Sequence, residues 1–236
     1  MTDDIKRLNK RLNLQFNDLS LLKSALTHRS ASAENNERLE FLGDGALNFI
    51  IASELFRLLP DASEGDLSRQ RANLVRGLTL CEVARDLDLG DYLQLGMGEL
   101  RSGGFDRDST LADALEAVIG AIYLDAGFEV CRDFVLKLFE SRLQNLPEVF
   151  ELLDPKTRLQ EYMQGRGLLR PTYQTLKSEG KPHEQTFTVE CTVGKIDLSC
   201  TATGSSRRLA EQAAAVDMLA QLKELGYGEE SRKNHS

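Results

Sequence analysis

The sequence predicts a chain in two parts: an all-α first half, then an α+β second half of order α-β-β-β-α. Three observations carry this. Apolar residues recur every three or four positions through residues 37–59, 66–88, 110–125 and 129–146, runs too long for strands. Thr, Val and aromatic residues alternate with polar ones through 171–180, 184–193 and 195–204, as in half-buried antiparallel strands. The length, 236 residues, suits one large domain or two ordinary ones at about 100–200 residues each.

The boundaries follow from turn chemistry. Pro60 ends the 37–59 helix, and Asp61 or Ser63 can cap the next. The polar, Gly-rich stretch 99–110 reads as a loop before a helix capped at Ser109 or Thr110. Asp154-Pro155 starts a helix carrying Leu159 and Tyr162, the three strands follow, and an Ala- and Leu-rich helix begins at Ser205 or Ser206. The expected division is a helical domain over 1–148, a linker over 149–153, the α-β-β-β-α domain over 154–226 and a polar tail over 227–236.

Composition narrows the classes. Hydrophobic residues at 41% and charged residues at 28% are globular values. The longest stretches without Asp, Glu, Lys or Arg run nine residues, 45–53 and 198–206, where a membrane span needs about 20 apolar residues. Residues 1–16 offer no apolar leader segment, so the expected location is the cytoplasm. Cys81, Cys131, Cys191 and Cys200 are too scattered for a zinc cluster or a disulfide framework and read as reduced thiols. The net charge of −8 speaks against a nucleic-acid partner until it is divided: residues 1–153 hold 17 Lys+Arg against 26 Asp+Glu, and residues 154–226 hold 10 against 9.

The acids of the first half are patterned. On a helical wheel with Glu37 at zero, Glu40 falls at about 300° and Asp44 at about 340°, opposite an apolar set of Leu39, Leu42, Ala46, Phe49 and Ile50 centred near 170°. In 109–127, Asp113 and Glu116 again lie opposite a core stripe, flanked by Ala117 and Gly120. Acids opposite a core stripe ordinarily form a solvated face. Two such faces beside small residues, which let helix backbones approach closely, also suit a hard cation held by carboxylates, as phosphoryl chemistry uses. Phe41 shares the acidic face, so its ring packs either under another helix of its own chain or into a partner subunit.

The run ERLEFLGD (37–44) resembles the signature of the bacterial ribonuclease III family, and LADALEAVIGAIYLDAG (111–127) resembles that family's second acidic motif. THRS (27–30) and EGDLSRQRANLVR (64–76) are similar to family segments too, and the likeness runs from about residue 5 to 225. It implies a ribonuclease III fold, a homodimer, and Mg²⁺-dependent endonucleolytic hydrolysis of double-stranded RNA to 5′-phosphate ends, with Mn²⁺ as a substitute ion. The implied substrates are precursors of ribosomal RNA and structured messenger and transfer RNA precursors. By motif position the resemblance makes Glu40, Asp44, Asp113 and Glu116 the metal acids, Asp44 and Glu116 the most direct catalytic candidates, and Glu37 and Glu64 cleft acids. It places Phe41 in a pocket across the dimer. Gly45 departs from the Ser common in the family, at a helix cost of about 1 kcal/mol. His28 is a weak base candidate and reads first as a packing residue or an RNA contact, because metal-bound water needs no His, and Arg69, Arg71, Arg76, Arg101 and Arg107 are either surface ion-pair residues or phosphate contacts.

The second half resembles a double-stranded RNA-binding domain, whose members read A-form shape rather than sequence. Ser205 or Ser206 can cap the last helix while Arg207 and Arg208 add cations at its positive end, a natural phosphate site. By motif position Gln160, Glu161, Pro182 and His183 would touch the minor groove, and Ser206, Arg207 and Arg208 the phosphates. Glu211 stands where many relatives carry a third cation, which lowers the expected phosphate affinity. Competing classes are a double-stranded RNA-binding regulator with little cleavage activity, and a DNA-directed metal nuclease, against which the RNA-type domain argues; no DNA or membrane partner is expected.

Overall fold

The computed structural model describes residues 2–181, 183–194 and 196–226; expectations for Pro182 and the 227–236 tail lie outside them. The chain forms two compact units, Met1–Pro147 and Glu148–Ser236.

The first unit holds α1 (Thr2–Arg11), α2 (Leu19–Ala25), α3 (Glu37–Leu58), α4 (Glu64–Leu74), α5 (Gly77–Asp86), α6 (Met97–Arg101), α7 (Asp108–Leu138) and α8 (Glu140–Gln144). Helix α7 is the central element, packed on α2, α3 and α5. Leu22, Leu26, Leu47, Ile50, Ile51, Leu55, Leu80, Leu111, Leu115, Val118 and Ile119 close the core, each large side chain contributing about 1.5–3 kcal/mol by leaving water. The α3–α7 seam is unusually close. A Cβ on Gly43 would sit 1.7 Å from the Glu116 carbonyl oxygen, and one on Gly120 would sit 2.2 Å from that of Leu39. Only glycine permits this backbone contact, and it brings the acidic stretches of both helices together.

Several local expectations are met and others corrected. Ser63 caps α4 by accepting the Asp66 N–H. The periodic stretch 66–88 is two helices: Arg76 is extended (φ −69°, ψ 150°), and the Thr79 hydroxyl donates to the Asn73 carbonyl at 2.9 Å, serving the freed end of α4. Neither Ser109 nor Thr110 caps α7, which starts at Asp108; the Arg85 guanidinium fixes that start by binding Asp106 at 3.1 Å and Asp108 at 2.7 Å. Gly127 (φ 81°, ψ 178°) separates the 110–125 and 129–146 periodic runs as a kink within α7. Phe49, assigned above to the core stripe, is 62% exposed, and Leu42 and Ala46 are only half-buried. The buried row is Leu39, Gly43, Leu47, Ile51 and Leu55. An i, i+4 row drifts by about 40° per step around the helix, so by the second turn the seam has left Phe49 behind.

In the second unit the segment expected as linker includes a short helix, α9 (Val149–Leu152). Next come α10 (Pro155–Gln164), β1 (Thr172–Glu179), β2 (Thr186–Val193), β3 (Leu198–Gly204) and α11 (Arg207–Glu224). The third strand begins at Leu198, three residues later than its pattern suggested. Asp154 caps α10 by accepting the Lys156 and Thr157 N–H groups. The strands form an antiparallel sheet in the order β1-β2-β3, with an irregularity between Thr175 and Lys177. Leu159, Tyr162 and Met163 of α10 pack with Ala214, Ala215, Met218 and Leu222 of α11 over Cys191 and Val193. All four cysteines are free.

Candidate metal centre and nucleic-acid interface

The glycine seam decides where the acids go. Glu40 leaves α3 one turn before Asp44, and Asp113 and Glu116 leave α7 beside them. One carboxylate oxygen from each of Glu40, Asp113 and Glu116 lies within 4.8 Å of the other two, all three half-buried. Burial pushes all three groups toward their neutral forms, and repulsion from neighbouring acids adds to this at Glu40 and Glu116. Glu116 is pushed up to about 8, first by burial and then by the charges of Asp44, Glu40 and Asp113. Burial raises Glu40 with help from Asp113 and Glu37, and burial raises Asp113 against the opposing charges of His28 and Arg29. Three hard oxygen donors in a half-desolvated, like-charged cluster are the donor set of a divalent cation. The residues present therefore fit such an ion.

Asp44 is exposed and stands just outside this trio. The Asn48 amide donates to its carboxylate at 2.7 Å and to its carbonyl at 3.0 Å. Glu37 lines a polar cavity of about 490 Å³ beside the trio, together with His28, Arg29, Glu40, Glu99, Arg107 and Asp113. Glu64 does not join the trio; it accepts the Ser68 hydroxyl at 2.8 Å within its own helix. His28 Nδ1 lies 2.8 Å from Ser30 Oγ, which also accepts the Gly96 N–H. Arg69 and Arg107 pair with Asp66 and Glu99 at 3.1 and 2.9 Å.

The own-chain alternative for Phe41 does not hold, because its ring is 82% exposed. Phe56 is 74% exposed, and Phe49 makes only a tilted contact with Phe128 at 5.7 Å. At 100° per residue these three rings share one side of α3, with Gly45 among them. So large a bare aromatic face marks an interaction surface.

In the second unit the exposed Arg207 and Arg208 occupy the first turn of α11, whose Ser206 cap accepts the Leu209 N–H. Half-buried Gln160 and exposed Glu161 lie on α10, and His183 is exposed between β1 and β2. Glu211 accepts from Lys156 at 2.6 Å and from Arg207 at 2.9 Å.

Set against known proteins, residues 18–143 match a family model described as Ribonuclease-III-like, and residues 155–222 match the double-stranded RNA binding motif. "Ribonuclease 3" of Aliivibrio fischeri is 54% identical over 222 residues, covering 94% of this chain and 100% of that one. The chain belongs to the ribonuclease III family. "Ribonuclease 3" of Hahella chejuensis is 56% identical over 219 residues, covering 93% of this chain and 97% of its own. A solved nuclease domain of ribonuclease III from Campylobacter jejuni, described as flexible in a region involved in dimer formation, superposes with a TM-score of 0.58 at 43% identity over 60% of this chain and 99% of its own.

For this ribonuclease III chain, sequence reasoning overlooked Asn48. The signal was present, since a residue four positions after a helical Asp lies on the same face, but its amide could be aimed only by the folded helix. Glu99 was passed over because its place in the cavity depends on α6 folding against the 104–107 turn, where Arg107 pairs with it at 2.9 Å. No helix among the described residues is long and apolar enough to cross a membrane.

Proposed function

We propose that this chain is a homodimeric, Mg²⁺-dependent endoribonuclease that cleaves double-stranded RNA to 5′-phosphate ends, with residues 1–148 as the catalytic domain and 154–226 as the RNA-binding domain. The observation that carries it is the convergence of Glu40, Asp113 and Glu116 from two helices in a chain that also holds a double-stranded RNA binding motif. These three acids, with Asp44 beside them, would hold Mg²⁺, or Mn²⁺ in its place. When bound, such an ion supplies Lewis acidity, which offsets charge on the scissile phosphate and acidifies water near neutral pH.

The chain's own groups do the rest. Glu116, whose carboxyl is pushed up to about 8 by burial and its acidic neighbours, would have to be a carboxylate to hold such an ion. Asn48 keeps one oxygen of Asp44 engaged and orients the other. Glu37 lines the adjoining cavity, and Glu64 is a cleft acid on the strength of the family resemblance alone. Without a cation the acidic cleft repels RNA, so affinity falls to the second unit: Gln160, Glu161, Pro182 and His183 for the minor groove, and Ser206, Arg207 and Arg208 for phosphates. Cutting both strands requires two centres related by symmetry, and the Phe41, Phe49 and Phe56 face supports a second copy as its occupant. Through the family, the substrates are ribosomal, messenger and transfer RNA precursors in the cytoplasm.

The test is incubation of a long RNA duplex, its DNA counterpart and single-stranded RNA with the protein, in Mg²⁺ or in chelator, resolved on a denaturing gel. Cutting of the RNA duplex alone, and only with Mg²⁺, is expected. Binding without cutting would replace this reading with that of a regulator, and equal cutting of DNA would remove the RNA specificity.

A further inference from the structure

Resting on the reading of the second unit as a duplex-RNA binder, we infer that Glu211 sets its affinity by holding back two surface cations, Lys156 and Arg207, for which RNA phosphates must compete.

The three charges form a triad across two helices. Glu211, on α11, accepts Lys156 Nζ of α10 on Oε2 at 2.6 Å and Arg207 Nε on Oε1 at 2.9 Å. The carboxylate lies beneath the surface, its side chain 12% exposed, while Lys156 is 38% and Arg207 66% exposed. The cations therefore face solvent and the acid backs them. Lys156 also lies 4.5 Å from the centre of the Tyr173 ring, and it precedes Gln160 by one helical turn, on the same side of α10. Arg207 opens α11 beside the Ser206 cap. The triad thus spans two of the places from which this unit offers groups to RNA, α10 and the start of α11, and its net charge is +1 rather than +2. The pairing holds the Glu211 carboxyl below its ordinary range, chiefly through Lys156, so the acid is charged at neutral pH.

A carboxylate bonded to two cations lowers the number of phosphates they can neutralise, and salt dependence counts that number, at about 0.9 in log–log slope per phosphate. Glu211→Gln keeps the shape and an accepting oxygen but removes the charge. Binding of the full-length protein to a short RNA duplex in chelator, which prevents cleavage, is followed by fluorescence anisotropy across a KCl series. The expected result is binding roughly threefold to tenfold tighter at intermediate salt, as two partly exposed ion pairs would give, with a slope steeper by about 0.9 to 1.8. Glu224→Gln, the same charge change at the far end of α11, should leave both quantities unchanged. In a Lys156→Met, Arg207→Gln background the gain should vanish.

Unchanged or weaker binding by a folded Glu211→Gln protein overturns the inference and makes the acid a clip between α10 and α11. An equal gain from Glu224→Gln overturns it as a nonspecific charge effect. Should Glu211→Gln fail to fold, Glu211→Asp, too short to serve both cations, must show a partial gain or the inference falls. A wild-type protein that binds no duplex overturns the RNA-binding reading itself, which is a different result.

Discussion

Two glycines two residues apart on α3 should respond to alanine with opposite signs. At Gly45 nothing in its own chain lies within 4 Å of an added Cβ, so in a protein held monomeric by Phe41→Ala, Gly45→Ala should return most of the helix penalty, about 1 kcal/mol of added stability. At Gly43 the same Cβ would lie 1.7 Å from the Glu116 carbonyl oxygen, 2.6 Å from its carbon and 2.9 Å from the Gly120 nitrogen. All three are backbone atoms of the opposed helix, so no side-chain rotation relieves the clash. The helices must part by about 1 Å or more, and a gap of that size forfeits a quarter to a half of the dispersion attraction along the seam. Overpacking of this kind costs about 1–3 kcal/mol or more. Against a helix gain of about 1 kcal/mol, a clash with rigid backbone at the upper end of that range leaves a net loss of about 2 kcal/mol, seen as a fall of roughly 4–8 °C in Tm for a unit of this size. The same parting moves Glu40 from Glu116, so Mn²⁺ affinity by calorimetry should fall about tenfold or more. Urea unfolding of the two variants checks the first part. A Gly43→Ala protein as stable as wild type, with its Mn²⁺ affinity intact, would refute the argument that this close approach builds the acidic cluster.

Glu116→Gln should abolish cleavage in Mg²⁺ while duplex binding stays within a few-fold, and it should stabilise the ion-free protein near pH 8. The sign follows from proton counting: between about 4.5 and about 8 the folded chain holds a proton on Glu116 that the unfolded chain has released, so stability falls as pH rises through that range. Thermal melts in chelator at pH 5 and pH 8 should show the variant less pH-dependent than wild type; identical dependence would deny Glu116 its raised pKa. Phe41→Ala should move the protein toward monomer in sedimentation velocity, since an 82% exposed ring adds little to the stability of its own chain; an unchanged dimer would place the interface elsewhere. Arg207→Gln with Arg208→Gln should weaken duplex binding and flatten its salt slope by about 0.9 for each phosphate no longer neutralised, with cleavage surviving at low salt. A slope that does not change would remove α11 from the phosphate interface.

Much of this protein was legible in its sequence because its signals are local. Capping at Ser63, Asp154 and Ser206, the alternation of β1 to β3 and the phase of Glu40 with Asp44, or Asp113 with Glu116, each depend on residues a few positions apart, within reach of the 3.6 and 2.0 periodicities. Tertiary structure decided whatever depended on a second element. The break at Val75 and Arg76 carries no Pro signal and rests on Thr79 serving Asn73. The exposure of Phe49 follows from the crossing of α3 over α7, which selects an i, i+4 row that a straight wheel does not show. Whether two acidic faces can meet at all is a question of distance between helices, and the close approaches of Gly43 to Glu116 and Gly120 to Leu39 bring them together. Glu211 makes the same point in the second unit: in sequence it is a missing cation one helical turn after Arg207, and only the fold brings Lys156 of α10 to it as well. Local chemistry specifies the helices, strands and caps, while approach distance between elements, which no single segment encodes, specifies the site.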